Sequence, residues 1–90
     1  MKVEFSVWIP KEFREKIKKV LELSDEDFEK ILESITKDDI EKAKKYLVGV
    51  EKTSTRFKIE YKKLRKLLSK QKKLKCNKNE ILIATIISIS

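Results

Sequence analysis

Residues 2–10 read Lys-Val-Glu-Phe-Ser-Val-Trp-Ile-Pro. Val3, Phe5, Val7 and Ile9 alternate with Glu4, Ser6 and Trp8, the period of a strand with one buried face. Pro10 ends the run and suits the opening of a helix, because it brings no amide that needs a partner there. The same alternation returns at Thr55, Phe57 and Ile59, interleaved with Ser54, Arg56 and Lys58. Neither run can stand alone, since the amides and carbonyls of an isolated strand lack partners.

Between and after the strands the spacing turns helical. Phe13, Ile17, Val20 and Leu21 repeat on one face, and Ser24 is placed to cap a second helix carrying Phe28, Ile31, Leu32 and Ile35. Asp25–Asp27 favour the positive start of that helix. A third helix over residues 38–48 turns Ile40, Ala43, Leu47 and Tyr46 inward and ends at Gly49. After the second strand, Leu64, Leu67, Leu68 and Leu74 mark an amphipathic helix whose other face is almost wholly Lys and Arg. The last segment, residues 81–89, is ambiguous, because six of its nine residues are β-branched and a strand fits them. Asn77 with Glu80 three residues on matches a capping pair and favours a helix. The expected class is mainly α with a short ribbon, ordered strand, helices, strand, helices, in one domain spanning residues 1–90. Residues 2–36 and 53–90 read as two loose repeats joined by the 38–48 helix.

Charge is unevenly spread along the 90 residues. Lys and Arg number 23 against 15 Asp and Glu, a net +8 without histidine. Residues 1–50 hold 11 basic and 12 acidic side chains, whereas residues 51–90 hold 12 and 3. Within Lys52–Lys78 only Glu60 is acidic, while Glu22–Glu41 carries nine carboxylates. Such a basic half suits a polyanion. One Cys and no His exclude a disulfide framework, a Cys/His zinc site and His-based triads. Gly49 is the only glycine, so no glycine-rich phosphate loop exists. Asp25/Asp27 and Asp38/Asp39 are read as helix-start acids in preference to a cation site, and Cys76 as packed in preference to reactive. The chain is expected to be a cytoplasmic non-enzyme without a cofactor. Its longest apolar stretch falls well short of the roughly 20 residues of a membrane span.

Glu4-Phe-Ser-Val-Trp-Ile-Pro-Lys-Glu-Phe13, with Ile17 and Val20 behind it, resembles the start of ribbon-helix-helix DNA-binding proteins of the Arc/MetJ type. Ser24-Asp-Glu-Asp-Phe28 fills the place of the family's second-helix cap, though the turn is short and lacks the frequent glycine. Arg56-Phe-Lys-Ile-Glu-Tyr61 and Cys76-Asn-Lys-Asn-Glu-Ile81 resemble a second copy of the same pattern. In that family two strands pair antiparallel across a dimer and the ribbon enters the major groove. The resemblance therefore implies that Val3–Ile9 pairs with Thr53–Ile59 of its own chain, or that each strand pairs with its copy in a homodimer. Either arrangement buries Val3, Phe5, Val7, Ile9, Phe57 and Ile59 against the helices.

Carried over by position, the groove-facing residues are Glu4, Ser6 and Trp8 on one strand and Ser54, Arg56 and Lys58 on the other. Arg56 suits bidentate pairing with guanine, and Lys58 suits guanine or phosphate. Glu4 and the bulky Trp8 depart from the pattern, although a carboxylate can accept from the cytosine amino group. Asn77 and Lys78 match the family's phosphate-binding helix start, whereas Asp25–Asp27 oppose an anion at the corresponding place. Lys62 and Lys63, with Lys66, Lys70 and Lys73, would add salt-sensitive phosphate contacts. The implied role is a transcriptional regulator on duplex DNA. Two other readings compete with it. Exposed Trp8 and the acidic 22–41 stretch suit a protein partner, as in a small antitoxin, viral inhibitor or adaptor. The basic helix at residues 60–75 suits an anionic membrane surface less well, because the core needs its leucines.

Overall fold

The computed structural model describes residues 1–89. Strand β1 (Lys2–Ile9) leads through a 3₁₀ turn at Lys11–Phe13 into α1 (Arg14–Leu21), followed by α2 (Asp25–Ser34) and α3 (Lys37–Leu47). Strand β2 (Thr53–Glu60) runs directly into α4 (Tyr61–Leu74), and α5 (Lys78–Ile89) completes the described chain. β1 and β2 pair antiparallel with each other, Lys2 opposite Glu60 and Ile9 opposite Thr53. The ribbon is thus intramolecular, and the alternative of a ribbon shared between two copies is not the one adopted.

Alternation along both strands does what the sequence asks of it. Phe5, Val7, Ile9, Thr55, Phe57 and Ile59 are buried, and Val3 is half-buried beside them. Phe5 and Phe57 face each other across the ribbon with ring centroids 6.0 Å apart. Beneath this face lies a single apolar cluster to which every helix contributes. The Phe13 amide donates to the Pro10 carbonyl at 3.0 Å, so Pro10 opens the first turn as expected.

Caps set the helix boundaries. The Asp27 amide donates to Ser24 Oγ at 3.2 Å, opening α2. α3 starts in a reciprocal box that sequence reading missed. Thr36 Oγ1 accepts from the Asp39 amide, and the Asp39 carboxylate accepts from the Thr36 amide at 3.0 Å. α3 stops at Leu47, and Gly49 follows with φ +69°, in the left-handed region that glycine occupies at little cost. The Asn77–Glu80 box forms as read: the Glu80 amide donates to Asn77 Oδ1 at 2.8 Å, and the Asn77 amide to Glu80 Oε1 at 3.0 Å.

The ambiguous final segment is the central helix. Ile81 to Ile86 are six consecutive buried residues, and α5 packs against α1, α2, α3, α4 and β1. A helix enclosed on all sides needs apolar residues at every position, so it shows no 3.6-residue stripe. Thr85, fully buried, satisfies its hydroxyl by donating to the Leu82 carbonyl at 2.6 Å.

Three side chains sit differently from expectation. Tyr46 is 55% exposed and rests edge-on against Phe13 at 6.0 Å, capping the core from outside. Leu68 is 42% exposed, because the buried stripe of α4 runs through Lys63 and Leu67. Lys63 is the third. It is only 6% exposed, and its ammonium donates to the Leu21 carbonyl at 3.0 Å and to the Leu23 carbonyl. The same ammonium lies 5.9 Å from the centre of the Phe28 ring. Lys63 therefore satisfies carbonyls left open at the end of α1 and ties that turn to α4. It is not available to phosphate.

Two stability measurements follow. Leu82→Ala opens a void in the central helix and should cost about 2–5 kcal/mol in denaturant unfolding. Lys63→Ala removes the donor of two charge-assisted hydrogen bonds and should cost about 1.5–3 kcal/mol. A loss below about 0.5 kcal/mol for the latter would mean that the ammonium does not hold the α1–α2 turn.

Candidate nucleic-acid interface

The hydrogen-bond phase of the ribbon fixes its outer surface. The Tyr61 amide donates to the Met1 carbonyl at 3.0 Å, extending the ladder one pair beyond Lys2–Glu60. Hydrogen-bonded pairs alternate with open ones in an antiparallel ladder, so the odd-numbered residues of β1 exchange bonds with β2. These residues are also the inward-facing ones. The outward pairs are the close-spaced open ones: Glu4 with Lys58, Ser6 with Arg56, and Trp8 with Ser54.

This places five of the expected residues on one solvent face. Ser6, Trp8, Ser54, Arg56 and Lys58 are all exposed, Trp8 at 58%. The register puts the carboxylate of Glu4 across from Lys58, so the negative charge is partly offset where it stands. Arg56 sits at mid-ribbon opposite Ser6 and has no ion-pair partner among the described residues.

The start of α5 flanks β1. The Trp8 amide points away from β2 and donates to Asn79 Oδ1 at 3.0 Å. Lys78, half-buried, holds its ammonium 6.0 Å from the centre of the Phe5 ring, at the ribbon's side. Asn77 is not a free anion ligand. Its side chain and amide are both spent on the capping box, and the Glu80 carboxylate occupies the ground a phosphate would take. Lys62 is exposed at the start of α4, in a shallow concavity shared with Asp25, Glu60 and Tyr61. Lys66 is paired with Glu29 of α2 at 3.2 Å. The expected contacts therefore divide: the ribbon residues share one face, Lys78 and Lys62 lie on separate flanks, and Lys63 belongs to the core.

Two cations that the sequence reading passed over lie beside β2. Arg14 and Lys18 of α1 border, with Arg56 and Lys58, a cleft of about 560 Å³ along the strand. Their spacing of four residues marks a polar helix face, but only the fold brings that face to β2.

The remaining candidates resolve into local structure. Asp39 is the box partner of Thr36, and among the described residues no group of three or more metal-binding side chains is assembled. Cys76 is half-buried with its thiol toward the Gln71 carbonyl at 3.8 Å. Burial pushes its pKa up, the Glu80 carboxylate adds to this, and Lys44 only partly opposes it. The upward direction keeps the thiol protonated near neutrality, so Lys75 and Lys78 do not activate it. Iodoacetamide should thus modify Cys76 more slowly than an unstructured cysteine peptide at pH 8, with the rise in rate displaced to higher pH. Equal rates and profiles would contradict a packed thiol.

Comparison with protein-family models, with curated proteins and with solved structures finds no match to this chain.

Proposed function

We propose that the protein binds duplex DNA through the solvent face of the β1–β2 ribbon and acts as a small transcriptional regulator. The observation that carries this reading is the two-sided ribbon. One face is sealed into the core, and the other offers Ser6, Trp8, Ser54, Arg56 and Lys58 together. The major groove, about 12 Å wide, admits a two-stranded ribbon. Arg56 provides a fork for guanine O6 and N7, Lys58 a donor for guanine or phosphate, and the two serines short hydrogen-bonding groups that fit between bases. The net charge of +8 supplies the attraction to phosphate that precedes any base reading. Lys78 and Lys62, on separate flanks of the ribbon, contribute to that positive charge.

Trp8, the only tryptophan, reports on that face. Its fluorescence should be quenched by a duplex of about 20 base pairs at low salt, with apparent affinity falling steeply as salt rises. The Arg56→Ala/Lys58→Ala variant, checked for an unchanged circular dichroism spectrum, should bind at least tenfold more weakly. Undiminished binding by the variant would place DNA elsewhere on the molecule. Absence of binding at low salt would sink the DNA reading altogether.

A further inference from the structure

We propose that the open edge of β2 accepts an extended, acidic peptide segment of a partner protein as a third strand. This goes beyond the ribbon-face reading and does not depend on it, because it uses the side of the ribbon and its backbone.

The two edges of the ribbon are unlike. In a two-stranded sheet each strand keeps one unpaired edge, and the phase of the ladder assigns the even-numbered residues to it. On β1 the amides of Glu4 and Ser6 also lack an acceptor among the described residues, but the start of α5 meets that edge and Asn79 takes the Trp8 amide. On β2 the amides of Ser54, Arg56 and Lys58 have no acceptor among the described residues. A trough runs beside them instead. Clefts of about 560 and 330 Å³ share Arg14 and Arg56 and together follow β2 from Thr53 to Glu60. Eight residues of strand extend about 26 Å, room for a segment of equal length.

Chemistry selects the occupant. Lys2, Arg14, Lys18, Arg56 and Lys58 line the larger cleft, and none of them is in an ion pair among the described residues. Of the two carboxylates there, Glu60 is engaged by the Met1 ammonium at 3.2 Å, leaving Glu22. The trough is therefore strongly positive. A phosphodiester strand offers acceptors only and would meet the edge carbonyls of β2 unfavourably. A polypeptide offers a donor and an acceptor in turn, which is what a strand edge requires. A second copy pairing through β2 would set Arg56 and Lys58 against like charges. What remains is a chain rich in Asp and Glu, from a different protein.

The probe is an end-blocked octapeptide of alternating Glu and Thr, titrated at up to millimolar concentration into the isotopically labelled full chain without DNA. The expected result is slowed hydrogen exchange, at least tenfold, at the Ser54, Arg56 and Lys58 amides. An Arg14→Glu/Lys18→Glu variant should bind at least tenfold more weakly, and an octapeptide of alternating Lys and Thr not at all. The Glu/Thr peptide N-methylated throughout keeps its charge and loses its donors, so it should fail. If it binds equally well, only charge attraction is at work and strand addition is wrong. No protection of the three amides overturns the proposal, leaving the edge merely guarded by its cations. Protection of the same amides by a short DNA duplex but not by the peptide overturns it in favour of nucleic acid. Because no DNA enters the peptide titration, its outcome is separable from that of the Trp8 experiment.

Discussion

Everything in this chain is built on the pairing of two eight-residue strands some fifty residues apart. Neither strand can satisfy its backbone without the other, and neither can bury its apolar face without the helices beneath. Closing so long a loop costs only slowly more entropy than closing a shorter one, so the separation is tolerable once the inward side chains find a common core. The period of two makes the register strict. A slip of β2 by one residue would send Phe57 and Ile59 to solvent and draw Arg56 and Lys58 into the core opposite Phe5. The same constraint creates the candidate interface, since what the pleat excludes from the core it must display on the other face.

The second organising element is α5, which supplies the middle of the core while the other helices supply its walls. Its burial on all sides explains both its composition and its opacity in sequence. An apolar run rich in β-branched residues suits a buried strand as well as an enclosed helix, and periodicity cannot separate the two. The Asn77–Glu80 box could, because it rests on local backbone geometry and not on the environment. The strands were legible for a similar reason: alternation over Val3–Ile9 and Thr55–Ile59 has one simple reading. Thr36 and Asp39 carry a comparable signal that went unread, a threonine followed three residues later by a carboxylate.

What the sequence conceals is which charges meet which surface. Lys63 sits four residues before Leu67, on the apolar stripe of its helix, and that spacing was its only clue. Among so many neighbouring lysines it reads as one more phosphate contact. Its actual partners, the Leu21 and Leu23 carbonyls, lie about forty residues away in the chain. Arg14 and Lys18 present the converse case, ordinary polar-face residues until α1 comes to rest beside β2. The ribbon face itself was legible because period-two geometry and the identity of the inward residues suffice to define it. The flanks were not, because they depend on how helices from both halves pack.

Placing both strands in one polypeptide has a consequence for how such a surface can change. In a symmetric dimer every substitution appears twice, so the two halves of the ribbon stay identical and the assembly dissolves on dilution. Here the partner strand is covalently tethered, and pairing is a unimolecular event independent of concentration. Ser6 and Trp8 can drift without altering Ser54, Arg56 or Lys58. The two halves of the face are free to diverge in shape and charge, released from the identity that symmetry would impose.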